Sequence, residues 1–368
     1  SVLKILDIAR KDFNLKAMTC NVNTVDLIKL SQKYKCNNLG IADENSLQNI
    51  DINGFNRNII YGIQNFDEFI NEDVDIYILA IAGIVSAELA LKIAKTGKIL
   101  AIANKENIIS LGKILIRECK KFNTQLFPLD SEHNAIYQLL DGLDKPFKAI
   151  TITASGGPFL NTPLDQLKNI KSDQAIKHPK WKMGKKISVD SSNMMNKSLE
   201  IIEAKNLFNL ENDEISAIIH PQSLVHGIIN FNDNSSYAFL SQPNMEIPIS
   251  SLFFPKKNVM TNNESMDLTK LKTLEFREID YRRFPAFRLG KSVMIMGGLA
   301  PHILNYVNEK LVNLFLDDLL NYLDIINLNE MIIENFFKSH QNIESPEIND
   351  INNTSKWIED NFNNLVKL

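Results

Sequence analysis

The segment PLDSEHNAIYQLL, residues 128–140, runs an apolar strand into Asp130, Ser131 and Glu132. Parallel sheets bind ligands at the carboxyl ends of their strands. On extended backbone Asp130 and Glu132 project to one face, as two hard oxygen ligands suited to Mg²⁺ or Mn²⁺. The plainer expectation is that Asp130 or Ser131 only caps the helix that follows. A second segment, VDSSNMMNKSLEIIEAKNLF (189–208), sets Asn196, Lys197 and Glu200 on one helical face, with Ser191 or Ser192 as the cap. An amide, an ammonium and a third carboxylate suit a metal and a phosphorylated polyol. Alternatively, the face is solvated and carries a Lys197–Glu200 ion pair.

A third constellation joins ASGGPF (154–159) to KHPKWKMGKKISVDS (177–191). Gly156 and Gly157 let backbone N–H groups approach an anion, and Ser155 adds a hydroxyl. Lysines 177, 180, 182, 185 and 186, with His178, would concentrate phosphate, or else form only an exposed basic loop. Trp181 and Met183 are large apolar residues in a polar, glycine-containing loop, which suggests a flap that closes over ligand. Four of the six histidines, His133, His178, His220 and His226, lie in this stretch and mark it as the active region. None has HxxxH or HxH spacing, so satisfied structural histidines are the commoner reading.

These groups need elements to hold them. Up to about residue 153 the runs LKAMTC, NNLGIA, DIYILAIA, KILAIA, QLFPLD and KAITIT alternate with helical patterns such as Thr24 to Tyr34 and Ser86 to Lys95. That punctuation predicts an α/β protein beginning with a doubly wound parallel-sheet nucleotide-binding domain over 1–129. An α+β catalytic domain with the flap follows over 130–255. It contains a strong helix from Met194 to Phe208 and two strand runs that turn at Asn232-Asp233-Asn234. A polar linker spans 256–283, and a small C-terminal helical domain covers 284–368.

With 40 basic and 44 acidic residues in 368, the chain has no general basic surface for nucleic acid. No apolar run approaches the roughly 20 residues of a membrane span. Three cysteines without a CxxC pair fit a reducing compartment, with cytoplasm the default. Ser1 in place of Met is what a processed or incomplete chain is expected to show.

Taken in order, ANKENI, PLDSEHNAIYQ, ASGGPF, HPKWKMGKKISVDSSNMMNKSLEIIEA, HPQSLVHG and QPNMEIPI resemble the successive signatures of the 1-deoxy-D-xylulose 5-phosphate reductoisomerases. The resemblance continues more weakly through FPAFRLG and GGLAPHILNYVNE, so it covers nearly the whole chain. It implies rearrangement and reduction of 1-deoxy-D-xylulose 5-phosphate to 2-C-methyl-D-erythritol 4-phosphate, a step of non-mevalonate isoprenoid synthesis. NADPH and Mn²⁺ or Mg²⁺ would be the cofactors. Asp130, Glu132 and Glu200 would hold the metal. Lys105, Ser131, Ser155, His178, Ser191, Asn196 and Lys197 would contact substrate, with phosphate held mainly by Ser155, Ser191, Asn196 and Lys197. Asn23, Asn104, Glu106 and Gly184 would line the cofactor site, and the loop with His178, Trp181 and Met183 would be the flap. The family implies a homodimer, cytoplasmic in bacteria or plastidic in a eukaryote.

Some positions depart from the pattern. The family's GxTGxIG turn and the strand before it would fall ahead of Ser1, which implies an N-terminally truncated chain. Asn21 and Val22 stand where a Gly and a basic residue are usual, Asn193 and Ser198 replace Thr and Gly, and Tyr306-Val307 replaces a small pair. Two other readings stay open: a plain NAD(P)-dependent dehydrogenase, for which metal would be dispensable, and a non-catalytic, degenerate paralogue.

Overall fold

Short apolar runs become strands wherever helices can cover both of their faces. The computed structural model describes residues 1–8, 11–47, 58–143, 145–181, 183–255 and 266–367. Lys182 of the basic loop and 256–265 of the expected linker lie outside the described residues. The first region comprises α1 (Val2–Ile8), β1 (Ala17–Cys20), α2 (Thr24–Tyr34), β2 (Asn38–Ile41), β3 (Asn58–Tyr61), β4 (Ile76–Leu79), α3 (Ala87–Ile93), β5 (Ile99–Ile102), α4 (Lys105–Leu111), α5 (Lys113–Phe122) and β6 (Gln125–Pro128). All its strand pairs are parallel. Among the described residues they form two three-stranded sheets, β1-β2-β3 and β4-β5-β6, rather than one continuous sheet. Leu100 and Ile102 of β5 are fully buried under α3 and α4, which explains the unbroken apolar run.

The run KAITIT was expected to continue this parallel series. Instead it opens a second sheet, because its pairing partners come from later in the chain. Here lie α6 (Ser131–Leu140), β7 (Phe147–Ala154), the single turn α7 (Ser172–Ala175), α8 (Lys185–Ser192), α9 (Met195–Phe208), β8 (Ile215–Ile219), β9 (Val225–Phe231), β10 (Ser236–Leu240), α10 (Glu246–Phe253) and the short α11 (Leu268–Leu271). The strand order is β10-β9-β7-β8, with β7 parallel to β8 and antiparallel to β9. The hairpin at Asn232-Asp233-Asn234 forms as expected, with Asn234 in the left-handed region at φ 65° and Asp233 Oδ1 accepting from Ser235 N at 3.0 Å. Gly227 of β9 has no side chain because α6 crosses there. A Cβ would come within 2.7 Å of Ile136 Cδ1. That close approach seats the first turn of α6 against the sheet.

The remaining helices are α12 (Pro285–Met296), α13 (Ala300–Leu316), α14 (Asp324–Ser339) and α15 (Ile348–Val366). One cluster of buried side chains runs from Ile150 and Ile152 of β7 through Leu199 of α9 to Phe287, Val307, Ile332 and Ile358. Helices α9 and α12 touch so closely that a Cβ on Gly290 would meet the Ser198 Cβ at 2.3 Å. Ser198 Oγ, at one of the departing positions, donates to Ala286 O at 2.9 Å across the same contact. No helix among the described residues is long and apolar enough to cross a membrane.

Candidate active site

Two parallel strands deliver the chemistry. At the end of β5, Asn104 caps α4 by accepting from Asn107 N at 2.8 Å, so the helix starts at Lys105. At the end of β6, Asp130 occupies the cap position of α6, yet its carboxylate makes no capping bond. It pairs instead with Lys105 Nζ at 2.7 Å. The helix already begins at Ser131, so Glu132 stands on a first helical turn and not on an extended strand as expected.

Helix α9 brings the third group. Its cap is Met194, held at φ 69°, while Ser191 and Ser192 belong to the end of α8, which corrects the serine cap expected there. Asn196, Lys197 and Glu200 do share a face, but that face is interior. Lys197 is 3% exposed and Glu200 1%, which excludes the solvated-face reading. Lys105 Nζ donates to Glu200 Oε1 at 2.8 Å and to Asn196 Oδ1 at 2.9 Å. Lys197 Nζ donates to Glu132 Oε1 at 2.7 Å and also reaches Glu200 Oε2.

Carboxylate oxygens of Asp130, Glu132 and Glu200 thus lie within 4.8 Å of one another. Three carboxylates face two ammonium groups, so the cluster is short of positive charge, and its hard oxygen donors fit Mg²⁺ or Mn²⁺. Burial and the nearby Glu200 push the Glu132 carboxyl up to about 7. Burial would raise Asp130 too, but Lys105 and His133 hold it well below the usual carboxylate range. Burial would lower Lys105 and Lys197, yet their carboxylate partners keep both raised.

Behind this cluster stand two residues that sequence reasoning did not assign, His133 and Glu203. His133 Nε2 donates to Glu200 O at 2.9 Å, and Nδ1 lies 3.4 Å from Asp130 Oδ1 and 3.5 Å from Glu203 Oε2. Burial opposes a charge on the ring, but Glu203 and Asp130 overcome it and raise the imidazole to about 9. The ring thereby ties α6 to α9. The i,i+3 spacings Asp130–His133 and Glu200–Glu203 were the signal available in the sequence.

At the other end of the cavity the chain turns at Gly156 and Gly157, with φ of 81° and 67°. A Cβ on Gly157 would sit 2.7 Å from Ser191 O, so glycine is required for the turn to meet α8. His178 Nδ1 accepts from Lys180 N at 3.1 Å and Trp181 N at 2.9 Å. Its proton is thereby on Nε2, which donates to Ser155 Oγ at 3.0 Å. Gly157 N also donates to that oxygen, at 3.2 Å, which leaves the serine proton to point elsewhere. Burial lowers His178 to about 4, in keeping with the neutral ring.

A cavity of about 350 Å³ joins the two ends, lined by Trp181, Met183, Ser131, Ser155, His178, Ser191 and the carboxylate–lysine cluster. Trp181 also stands edge-on to His226, with ring centres 6.5 Å apart. The described lysines of the basic loop do not line it. Lys177 is exposed and pairs with Asp173, and Lys186 pairs with Asp190 and Glu106. The cavity's ammonium groups are Lys105 and Lys197 instead. Gly184 borders the cavity, whereas Asn23, Asn104 and Glu106 do not. Asn23 caps α2, accepting from Asp26 N at 3.3 Å, and Asn104 donates to Gly83 O at 2.8 Å. Of the histidines, His226 lines the cavity, while His220 lies outside it, donating from Nδ1 to Glu275 O and stacking on Phe276.

Parallel strands that end at Lys105 and Asp130, beside the buried Glu132 and Glu200 of the cavity, define an α/β protein with a cleft fitted to a divalent cation. Comparison with known proteins narrows this. Family models for 1-deoxy-D-xylulose 5-phosphate reductoisomerase match residues 1–112, and those for its C-terminal domains match 126–208 and 240–361. A 1-deoxy-D-xylulose 5-phosphate reductoisomerase of Wolbachia pipientis subsp. Culex pipiens is 38% identical over 365 residues, 97% of this chain and 90% of the relative. That of Wolbachia pipientis wMel is 40% identical over 340 residues, covering 90% and 86%. Among solved structures, DOX-P reductoisomerase in complex with NADPH, fosmidomycin and magnesium superposes with a TM-score of 0.92 at 29% identity, covering 100% of this chain and 95% of that one. The Zymomonas mobilis enzyme with NADPH gives 0.86 at 31% identity, covering 97% and 92%. The chain belongs to the 1-deoxy-D-xylulose 5-phosphate reductoisomerase family.

Proposed function

We propose that this cleft converts 1-deoxy-D-xylulose 5-phosphate to 2-C-methyl-D-erythritol 4-phosphate, using NADPH and Mg²⁺ or Mn²⁺. The observation that carries the reading is the buried Asp130–Glu132–Glu200 triad beside Lys105 and Lys197. Those three carboxylates would hold the divalent ion, which supplies Lewis-acid polarisation of the substrate's carbonyl and neighbouring hydroxyl. NADPH supplies the hydride for the final reduction.

The chain's own groups do the rest. Lys105 orients the carboxylates and brings positive charge to developing oxyanions. Ser155, Ser191, Asn196 and Lys197 hold the phosphate, and Ser131 lies within reach of the polyol. His178 fixes Ser155 and, with Trp181 and Met183, closes the loop that excludes water. Phosphate binding away from the reacting carbons contributes the energy of that closure. Asn23, Asn104, Glu106 and Gly184 face the cofactor side. This division assigns 1–129 to cofactor, 130–255 to catalysis and 284–368 to the helical region.

A homodimer fits the edge strand β10, which exposes Tyr237 and Leu240 and could be covered by a second copy. Sedimentation of the purified protein reads that directly. Action in the bacterial cytoplasm fits a cofactor and substrate that are both soluble phosphates.

The deciding experiment mixes the protein with 1-deoxy-D-xylulose 5-phosphate, NADPH and Mn²⁺ or Mg²⁺ and follows nicotinamide absorbance, with EDTA as control. Metal-dependent oxidation with a branched product is expected. Oxidation that persists in EDTA would favour a plain dehydrogenase, and none under any condition a degenerate paralogue.

A further inference from the structure

Lys186 stands on the first turn of α8, two residues past Gly184 and directly after the loop that carries Trp181 and Met183. Its Nζ lies 3.0 Å from Asp190 Oδ2, one turn further on, and 3.3 Å from Glu106 Oε1 of α4. Asp190 is held in turn by Asn308 of α13, whose Nδ2 donates to Oδ1 at 2.8 Å. Both of these residues are almost wholly buried. Glu309 of α13 adds a third carboxylate to the surroundings of the ammonium. Burial would lower Lys186, but Asp190, Glu106 and Glu309 together keep it protonated.

One ammonium therefore joins the anchor of the flap to α4 and, through Asp190, to α13. Glu106 directly follows Lys105, which grips Asp130 and Glu200. Glu106 thus contacts the lysine at the start of α8 and is the chain neighbour of the lysine that holds the carboxylates.

We propose that Lys186 is a positioning residue that couples occupancy of the cofactor site to closure of the flap over the substrate cavity. The inference rests on the reading of Glu106 as a cofactor-side group and of the Trp181 loop as the flap. Lys186 need not touch the cofactor. A ligand that turns the Glu106 carboxylate changes what holds the start of α8, and so shifts the flap between its positions. By linkage, cofactor and sugar-phosphate mimic strengthen each other's binding by the same factor in either order.

Calorimetric titration with a phosphonohydroxamate and Mg²⁺, with and without NADPH, tests this on the wild type, Lys186→Gln and Lys186→Arg. In the wild type NADPH should tighten the inhibitor by about tenfold or more; in Lys186→Gln by no more than about twofold, with each ligand alone binding nearly as before. Lys186→Arg should restore part of the factor. An equal factor in wild type and Lys186→Gln overturns the proposal. A wild type that binds neither ligand fails the reading of the site itself, and the proposal falls with it.

Should Lys186→Gln not fold, acrylamide quenching of Trp181 gives a second measurement on an intact site. Trp357, the other of the two tryptophans, is replaced by Phe for this purpose. NADPH alone should shield Trp181 if Lys186 transmits its binding, and unchanged quenching overturns the proposal.

Discussion

Lys105 and Glu200 are 95 positions apart in the chain and meet at 2.8 Å in its interior, with side chains 7% and 2% exposed. Glu200 also receives Lys197, so it shares Lys105 with Asp130 and Lys197 with Glu132. Replacing it with Gln removes a proposed metal ligand while each ammonium group keeps one carboxylate partner. Glu200→Gln should lower turnover by roughly a hundredfold or more while NADPH affinity changes by less than about threefold. Steady-state kinetics and a cofactor titration check this, and retained activity at saturating Mg²⁺ would remove Glu200 from the metal site.

His133 joins the helices that carry Glu132 and Glu200 without lining the cavity. His133→Gln should raise the metal concentration for half-activation by about 10- to 100-fold, the usual cost of losing a group that orients a ligand. If the activation curve stays put while the melting temperature drops, the residue matters to folding alone.

Trp181 is half-buried and lines the cavity without belonging to any core cluster. Trp181→Ala should raise KM and lower kcat with a stability change inside about 1 kcal/mol. A fall of several degrees in melting temperature with unaltered kinetics would make it a packing residue.

Stability should be sensitive to mild acid through His302. Burial in α13 lowers its imidazole from 6.5 to about 4, so the folded state prefers the neutral ring. The stability tied to that preference is fully present above the unfolded value of 6.5. It is lost as pH falls toward 4, and is of order 3 kcal/mol at most. Thermal melts from pH 7 to 4 should slope less for His302→Gln than for the wild type. His178 and His226 are depressed in the same sense and will keep part of the slope. Parallel melting curves for variant and wild type would show that His302 does not titrate in this range.

Most strands and the longest helices were legible because burial imposes its period on the sequence. Helix α2 was read from Thr24 to Tyr34 and forms over the same residues. Helix α15 was not read, because its buried Ile351, Ile358 and Phe362 are diluted among asparagines and acids. The fate of KAITIT was illegible for another reason: a strand's partners are set by distant segments, and β8 and β9 lie some 60 to 80 residues later. In the site, residue types announced the carboxylates, Lys197 and the glycine turn. Pairing did not announce itself. Nothing local shows that Lys186 faces Glu106 or that His133 is held by Glu203, since each depends on how helices cross.

Helix α9 has no wet side where it matters: Lys197 through Ala204 are all buried, and the helix packs on α4, α8, α12 and β8. A rod enclosed in this way cannot slide or roll without opening the core around it. Its amide protons should therefore exchange with solvent only through events close to global unfolding. The oxygen and nitrogen dipoles of Asn196, Lys197 and Glu200 are fixed before any ligand arrives, so little reorganisation is left to the moment of reaction. Adaptation to substrates of different length or shape must then come from the other walls of the cavity, and variation in what the site accepts should map to those and not to the helix.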